Sequence, residues 1–141
     1  MSMNLFSTLY ESDDEVCQPF VVKESRANIS TFERLQKENQ NDKEIMDKVA
    51  DFTKQKMSEH GLVKWSVGFD RNEHDCASTR FHKRKIVFSR LYLRDHLDDW
   101  HHIEMTVLHE IAHALLPNQG HTKTWKDLCI SIGGDGIVGY D

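Results

Sequence analysis

The chain has 141 residues, of which 38% are hydrophobic and 29% charged, and its formal net charge is −5. A chain of this length forms one domain with a modest core, and it contains no run approaching the ~20 apolar residues that a membrane span needs. Residues 1–10 lack the basic start and the long apolar run of a signal peptide, so we expect an intracellular protein without membrane contact.

The three cysteines, Cys17, Cys76 and Cys129, lie far apart in the sequence, and no two of them form a C-x-x-C pair. An odd number of cysteines at such spacing predicts neither a disulfide framework nor a zinc ribbon. We therefore expect ordinary reduced thiols.

The first predicted region is an acidic arm. Residues 1–22 hold four acidic residues and no lysine or arginine, and they show little periodicity. We expect residues 1–27 to be loosely ordered and residues 28–141 to form a single domain.

Two capping signals predict helical structure between residues 31 and 60. Ser30 and Glu33 have capping-box spacing, in which each side chain satisfies a backbone donor of the other residue, so we expect a helix to start there. A second start lies at residues 41–44, and the apolar face that follows ends near Gly61, which suits a left-handed cap. The pattern allows either one helix or two.

The next segment predicts a small sheet. Apolar and polar residues alternate from Val63 to Asp70, which is typical of a half-buried strand. Residues 76–82 and 85–89 follow as a predicted hairpin that turns at Lys83 and Arg84. With a short helical piece at residues 90–96, these elements predict an α+β domain in which helices pack on one side of a three-stranded antiparallel meander.

The following helix carries the motif His109-Glu110-Ile111-Ala112-His113. Its start can be capped by Asp98 or Asp99, and the turn at residues 117–120 ends it. Two histidines four residues apart lie on one face of a helix, so both rings can reach one ion, and Glu110 keeps its carboxylate at the edge of that patch. Apolar residues between positions 103 and 115 recur at helical spacing, which predicts a buried helix with its histidines facing a cleft. An extended peptide suits a cleft between this helix and a sheet edge.

A third ligand is expected just after the turn. His121 lies eight residues beyond His113, and Thr122 can cap a last helix. Three histidines around one ion, with water at the fourth position, are typical of a catalytic zinc site, although other transition metals suit the same ligands. Such a metal lowers the pKa of its bound water to ~7, and Glu110 would take the proton of that water.

Other interpretations stay open at this stage. In one, His109 and His113 only border a core helix. In another, a zinc-bearing module binds a partner's extended segment and cuts nothing. In a third, Asp127 replaces His121 as the third ligand. The stabiliser of the oxyanion is also open, and the candidates are Arg80, His101, His102 and Tyr140.

The sequence resembles the SprT-like domain of the Spartan-type zinc metalloproteases. The resemblance rests on His109–Leu115, on Gly120-His121 and Trp125-Lys126, and on the preceding strand end Ile86–Ser89, and it covers about residues 43–134. These enzymes are implicated in removing proteins crosslinked to DNA. The resemblance implies a protease with one zinc ion bound by His109, His113 and His121, with Glu110 as the catalytic base.

A basic stretch overlaps the predicted hairpin. Residues 80–94 contain no acidic residue and six basic ones, namely Arg80, Lys83, Arg84, Lys85, Arg90 and Arg94. Such charge suits a nucleic-acid backbone, where each neutralised phosphate releases counterions. Alternate residues of a strand point to opposite faces, however, so the six charges cannot form one patch. Mainly because of the family resemblance, we expect this stretch to contact DNA, the substrate to be a protein, and the chain to act as a monomer.

Overall fold

The computed structural model describes residues 25–139, with side chains from residue 31 onward. The predicted acidic arm therefore lies outside the described residues except for its last three, which are helical, and Cys17 and Tyr140 lie outside them as well. Within the described range Cys76 and Cys129 are reduced thiols, as expected. Burial raises the pKa of the Cys129 thiol above its usual value.

The described elements are four α-helices, three strands and one 3₁₀ turn. In chain order they are α1 (Ser25–Glu59), β1 (Ser66–Asp70), β2 (Ala77–Arg80), the 3₁₀ turn (Phe81–Lys83), β3 (Lys85–Ser89), α2 (Arg90–Asp95), α3 (Trp100–Leu115) and α4 (Lys123–Ser131). Among the described helices, none has the length and apolar character needed to cross a bilayer.

The N-terminal helical region is one helix rather than two. α1 runs from Ser25 to Glu59, so it begins five residues before the predicted start at Ser30. The second capping signal, at residues 41–44, lies inside this helix and does not interrupt it. Gly61 follows with φ of +80°, in the left-handed conformation that the sequence predicted for the cap.

The chain divides into two compact units, and the division falls within α1, after Glu38. In the first unit, an ion pair of 3.2 Å joins Arg34 and Glu38, one helical turn apart. The second unit, Asn39–Asp141, contains the sheet and the helices that follow it. The domain boundary predicted after residue 27 stays a prediction.

The sheet is mixed, so the prediction of an antiparallel meander is wrong. The strand order is β1-β3-β2, in which β3 pairs antiparallel with β2 and parallel with β1. The loop at residues 71–76 carries the chain past the position of β3, which then enters between the two earlier strands. The hairpin of β2 and β3 is present, but its turn is wider than the two residues predicted. The first strand ends at Arg80 instead of residue 82, the 3₁₀ turn follows at Phe81–Lys83, and Arg84 lies in the left-handed region at φ of +50°.

The central position of β3 has a signal in the sequence. Ile86, Val87 and Phe88 are consecutive and all buried, with 0%, 3% and 0% exposure. A strand covered on both faces shows such a continuous apolar run, whereas an edge strand with one wet face alternates. This run indicates the middle strand of the sheet.

The main core joins the sheet to α3. Ile86 and Phe88 from one face of β3 pack in one cluster with Ile103, Val107 and Ile111 of α3, all with 0% exposure. Burial of each such side chain contributes roughly 1.5–3 kcal/mol. The core therefore fixes both the position of α3 and its rotation about its own axis.

The two ends of α3 are defined by capping and by proline. Of the two predicted caps, Asp99 is used, and its carboxylate accepts a hydrogen bond of 3.2 Å from the backbone N–H of His102. The helix ends at Leu115, two residues before Pro117. Proline cannot continue a helix, so the chain turns there.

A buried carboxylate on α1, that of Asp42, forms ion pairs with two arginines of α2. Arg94 donates to both carboxylate oxygens of Asp42, one of them at 3.1 Å, and Arg90 Nη2 lies 4.0 Å from the same carboxylate. Asp42 is only 5% exposed, so its charge depends on these partners. Two of the six basic residues predicted to contact DNA thus have a structural role.

We expect Asp42→Asn to lower the free energy of unfolding by about 2 kcal/mol, because hydrogen bonds to charged groups contribute ~1.5–3 kcal/mol. The matched control is Asp47→Asn, whose exposed pair with Lys43 at 2.8 Å lies on the same helix and should matter little. Urea denaturation of both variants measures the difference. Equal losses in the two variants would contradict a structural role for the Asp42 pair.

Candidate metal centre

α3 and the turn after it place three histidines together. His109 and His113 lie one helical turn apart on α3. The turn that follows returns the chain through two left-handed residues, Asn118 at φ of +67° and Gly120 at φ of +56°. His121 follows directly, at the position predicted for the third ligand.

The Nε2 atoms of His109, His113 and His121 form a nearly equilateral triangle with sides of 3.2, 3.1 and 3.2 Å. For zinc–nitrogen distances of about 2.0–2.1 Å, sides of this length subtend about 100° at the ion, which is close to the tetrahedral angle. The donor set therefore fits one zinc ion and leaves a fourth position open. Three imidazoles are also the ligands that other transition metals accept.

A backbone carbonyl fixes the ring of His109. Its Nδ1 lies 3.1 Å from the carbonyl oxygen of Ile137, and the ring is 1% exposed. A carbonyl oxygen can only accept, so Nδ1 carries the proton and Nε2 presents its lone pair to the centre of the triangle. No sequence pattern predicted this contact, because it is made by a backbone carbonyl and does not depend on the side chain of residue 137.

Trp125 of α4 forms the wall behind the three rings. It is fully buried, and its ring centroid lies 4.7, 4.9 and 4.8 Å from those of His109, His113 and His121. Its plane is stacked on that of His113 at an interplanar angle of 20°. These contacts restrict the rotamers of all three histidines.

Glu110 lies at the edge of this triangle. Its side chain has 0% exposure, and its Oε1 accepts a hydrogen bond of 2.7 Å from the hydroxyl of Thr79 on β2. Its Oε2 lies 3.9 Å from Nε2 of His109. The carboxylate thus has one oxygen hydrogen-bonded to the sheet and the other on the side of His109 Nε2, one corner of the triangle.

A cleft of about 420 Å³ lies between β2 and α3, and Glu110 and His113 contribute to its lining. β2 is an edge strand of the sheet. The carbonyl oxygen of Cys76 accepts a hydrogen bond of 2.9 Å from the backbone N–H of Ser89, so these two residues form a hydrogen-bonded pair between β2 and β3. Hydrogen-bonded and non-hydrogen-bonded pairs alternate along an antiparallel ladder. The backbone N–H and C=O groups of residues 77 and 79 therefore point away from β3, toward the open edge. The predicted cleft between a sheet edge and the metal helix is present.

The structure separates the alternative site residues from this centre. Asp127 pairs with Lys123 at 2.8 Å and is not part of the histidine cluster. Among the candidates for the oxyanion, Arg80 pairs with Asp70 at 3.2 Å. Neither it nor the two candidate histidines, His101 and His102, line the cleft.

His102 belongs to a second polar cluster at the start of α3. Its Nδ1 lies 2.7 Å from the hydroxyl of Tyr92, and its ring is stacked on that of His96 with a centroid distance of 4.4 Å. Burial lowers the pKa of His102, and the nearby His96 lowers it further. These contacts give His102 a packing role at a distance from the triangle.

The six basic residues divide into a half-buried pair on α2 and a group around the hairpin. Arg90 and Arg94 bind Asp42, as described above. Lys83 and Arg84 are exposed on the turn. The aliphatic part of Lys85 lies across Gly68, where an added Cβ would come within 3.1 Å of its Cδ.

Comparison with known proteins gives one match. The model of the SprT-like family matches residues 28–137. No curated protein and no solved structure matches the chain.

We expect His121→Ala to weaken zinc binding by more than about 100-fold, because even outer-shell changes cost 10–100-fold in affinity. Asp127→Ala is the control and should bind zinc like the wild type. Competition with a chromophoric chelator measures both affinities. Loss of zinc from Asp127→Ala but not from His121→Ala would make Asp127 the third ligand.

Proposed function

The chain belongs to the SprT-like family, and on that basis we propose that it is a zinc-dependent endopeptidase. The observation that carries the proposal is the buried Glu110 carboxylate beside three convergent histidine nitrogens, in a cleft bordered by an edge strand. Zinc in a three-histidine site supplies a Lewis acid and a water with a pKa of ~7.

Glu110 supplies the acid–base chemistry of the proposed reaction. Its Oε2 is the oxygen turned toward the histidine nitrogens, so this atom accepts the proton of the attacking water. The same oxygen then returns the proton to the amine that leaves. The Glu110 carboxylate itself has 0% exposure, which limits the access of bulk water to that proton.

The edge of β2 is the proposed binding site for the substrate backbone. An extended peptide can add to an exposed sheet edge through main-chain hydrogen bonds, and the outward backbone groups of residues 77 and 79 provide them. Such a peptide would run past Glu110 and His113, which line the same cleft. The substrate class that suits this cleft is therefore an unstructured protein segment.

Nucleic acid is proposed to bind at the hairpin turn. Lys83 and Arg84 are exposed there, beside Phe81, which is 37% exposed and packs edge-on against Trp65 at 6.3 Å. Aromatic faces and cations together suit single-stranded nucleic acid. Phe81 also lines the cleft, so DNA at the turn would bring its bound proteins close to Glu110.

We expect Glu110→Gln to abolish cleavage of an unstructured basic protein, with a loss of at least about 10²-fold, because general acid–base catalysis contributes 10²–10⁴-fold. Zinc content, measured by elemental analysis, should stay at the wild-type level because the three histidines are unchanged. If the wild type binds zinc and neither protein cleaves, the alternative of a zinc-bearing binding module replaces the endopeptidase.

We expect Lys83→Glu/Arg84→Glu to weaken binding of single-stranded DNA and to lower the salt slope, since each phosphate contact contributes about 0.7 to that slope. The control is Lys54→Glu/Lys123→Glu, which makes the same change in net charge at exposed sites on α1 and α4. Fluorescence anisotropy at several salt concentrations measures both. Equal weakening in the two variants would show that the turn has no special role.

A further inference from the structure

Thr79 connects the edge strand to the catalytic carboxylate. Its hydroxyl oxygen lies 2.7 Å from Oε1 of Glu110 and 3.2 Å from the backbone carbonyl of the same residue. A hydroxyl has one proton to donate, and the shorter contact, to a charged acceptor, is the stronger of the two. The hydroxyl therefore donates mainly to the carboxylate, across a separation of 31 residues in the sequence.

The buried position of Glu110 makes this hydrogen bond important. A carboxylate with 0% exposure loses its hydration, and a lost hydrogen bond to it costs more than one at the surface. The terminal torsion of a glutamate side chain is broad and roughly two-fold, so packing alone does not fix which way the carboxylate faces. The bond to Oε1 leaves Oε2 turned toward the histidine nitrogens, 3.9 Å from His109.

Thr79 also belongs to the strand that borders the cleft. Its register partner is Ile86 on β3, and the ladder turns its backbone N–H and C=O outward, to the edge proposed for the substrate. Its side chain meanwhile holds Glu110. Thr79 therefore contacts Glu110 through its side chain and offers its backbone groups to a peptide on the β2 edge. Its position sets the distance between the Glu110 carboxylate and such a peptide.

We propose that Thr79 is a positioning residue, which orients Glu110 and aligns it with a peptide bound along β2. The catalytic part of this inference rests on the proposed endopeptidase function. The orienting hydrogen bond is a property of the folded protein and can be measured without cleavage.

The first experiment compares Thr79→Val, which has the same shape without the hydroxyl, with Thr79→Ser, which keeps it. The kcat of the zinc-loaded Val variant should fall at least about ten-fold, because a misplaced catalytic group costs up to 10²-fold. Its KM should stay within about two-fold of the wild-type value, because the backbone groups on the edge of β2 are unchanged. The Ser variant should return to within about three-fold of wild-type kcat. A change confined to KM, or a Ser variant as slow as the Val variant, would overturn the proposal.

The matched control is Thr53→Val. Thr53 is a fully buried threonine on α1, whereas Thr79 is half-buried, and the Thr53 hydroxyl donates to the backbone carbonyl of Val49 at 2.7 Å. Its replacement removes a hydrogen-bonded hydroxyl from a more buried position and should leave kcat unchanged. A kcat loss in this variant equal to that of Thr79→Val would mean that lowered stability explains both, and the proposal would fall.

The second experiment is a double-mutant cycle on stability, with Thr79→Val, Glu110→Met and the double variant. In the wild-type background Thr79→Val should lower the thermal midpoint, because it removes a donor from a buried carboxylate. In the Glu110→Met background the same change should be neutral or raise the midpoint, since both members of the pair are then apolar. Additive losses would overturn the hydrogen bond as an orienting contact.

The two experiments separate this inference from the proposed function. A wild-type protein that binds zinc and cleaves nothing contradicts the endopeptidase, and the cycle alone then decides whether Thr79 orients Glu110. In the opposite case, the wild type cleaves its substrate, Thr79→Val has a normal kcat, and the stability losses in the cycle are additive. That result contradicts the role of Thr79 and leaves the endopeptidase function in place.

Discussion

Three imidazole nitrogens converge on one point, and the surrounding fold is arranged to keep them there. Their Nε2 atoms lie 3.1–3.2 Å apart, which places lone pairs against one another unless a cation lies between them. The fold holds them there from three directions: the core fixes α3, Trp125 packs against all three rings, and Ile137 orients the ring of His109. One buried glutamate, Glu110, lies beside them and is the proposed acid–base group.

One edge of the sheet, strand β2, lies beside the three histidines and Glu110. β3 is covered on both faces and pairs on both sides, so it is the stable part of the sheet, whereas β2 pairs on one side only. That leaves an edge directly beside Glu110, bound to it through Thr79. A mixed sheet with β2 outermost thus places an open strand edge, the proposed peptide-binding edge, beside the three histidines. A meander with β2 in the middle would not do so.

The parts of the fold with local causes were predictable. The helix that bears the histidines, its cap at Asp99 and the cap at Thr122 follow from neighbouring residues, and the structure confirms them. The hairpin of β2 and β3 was also predicted, although its turn is wider than expected. The strand order was not predicted, because strand pairing depends on contacts distant in sequence. For the same reason Thr79 and Ile137, which act on Glu110 and His109 from 31 and 28 residues away, had no local signature. The six basic residues between positions 80 and 94 could not be told apart from the sequence. In the structure, Arg90 and Arg94 pair with Asp42, and the other four lie around the hairpin.

The most direct test of the central claim, an open three-histidine zinc site, is X-ray absorption at the zinc edge of the metal-loaded protein. We predict three imidazole nitrogens at about 2.0–2.1 Å and one light oxygen ligand at a similar distance. A sulfur ligand near 2.3 Å, or a fourth imidazole in place of the oxygen, would indicate a closed structural site. That result would contradict the proposed catalytic role of the centre.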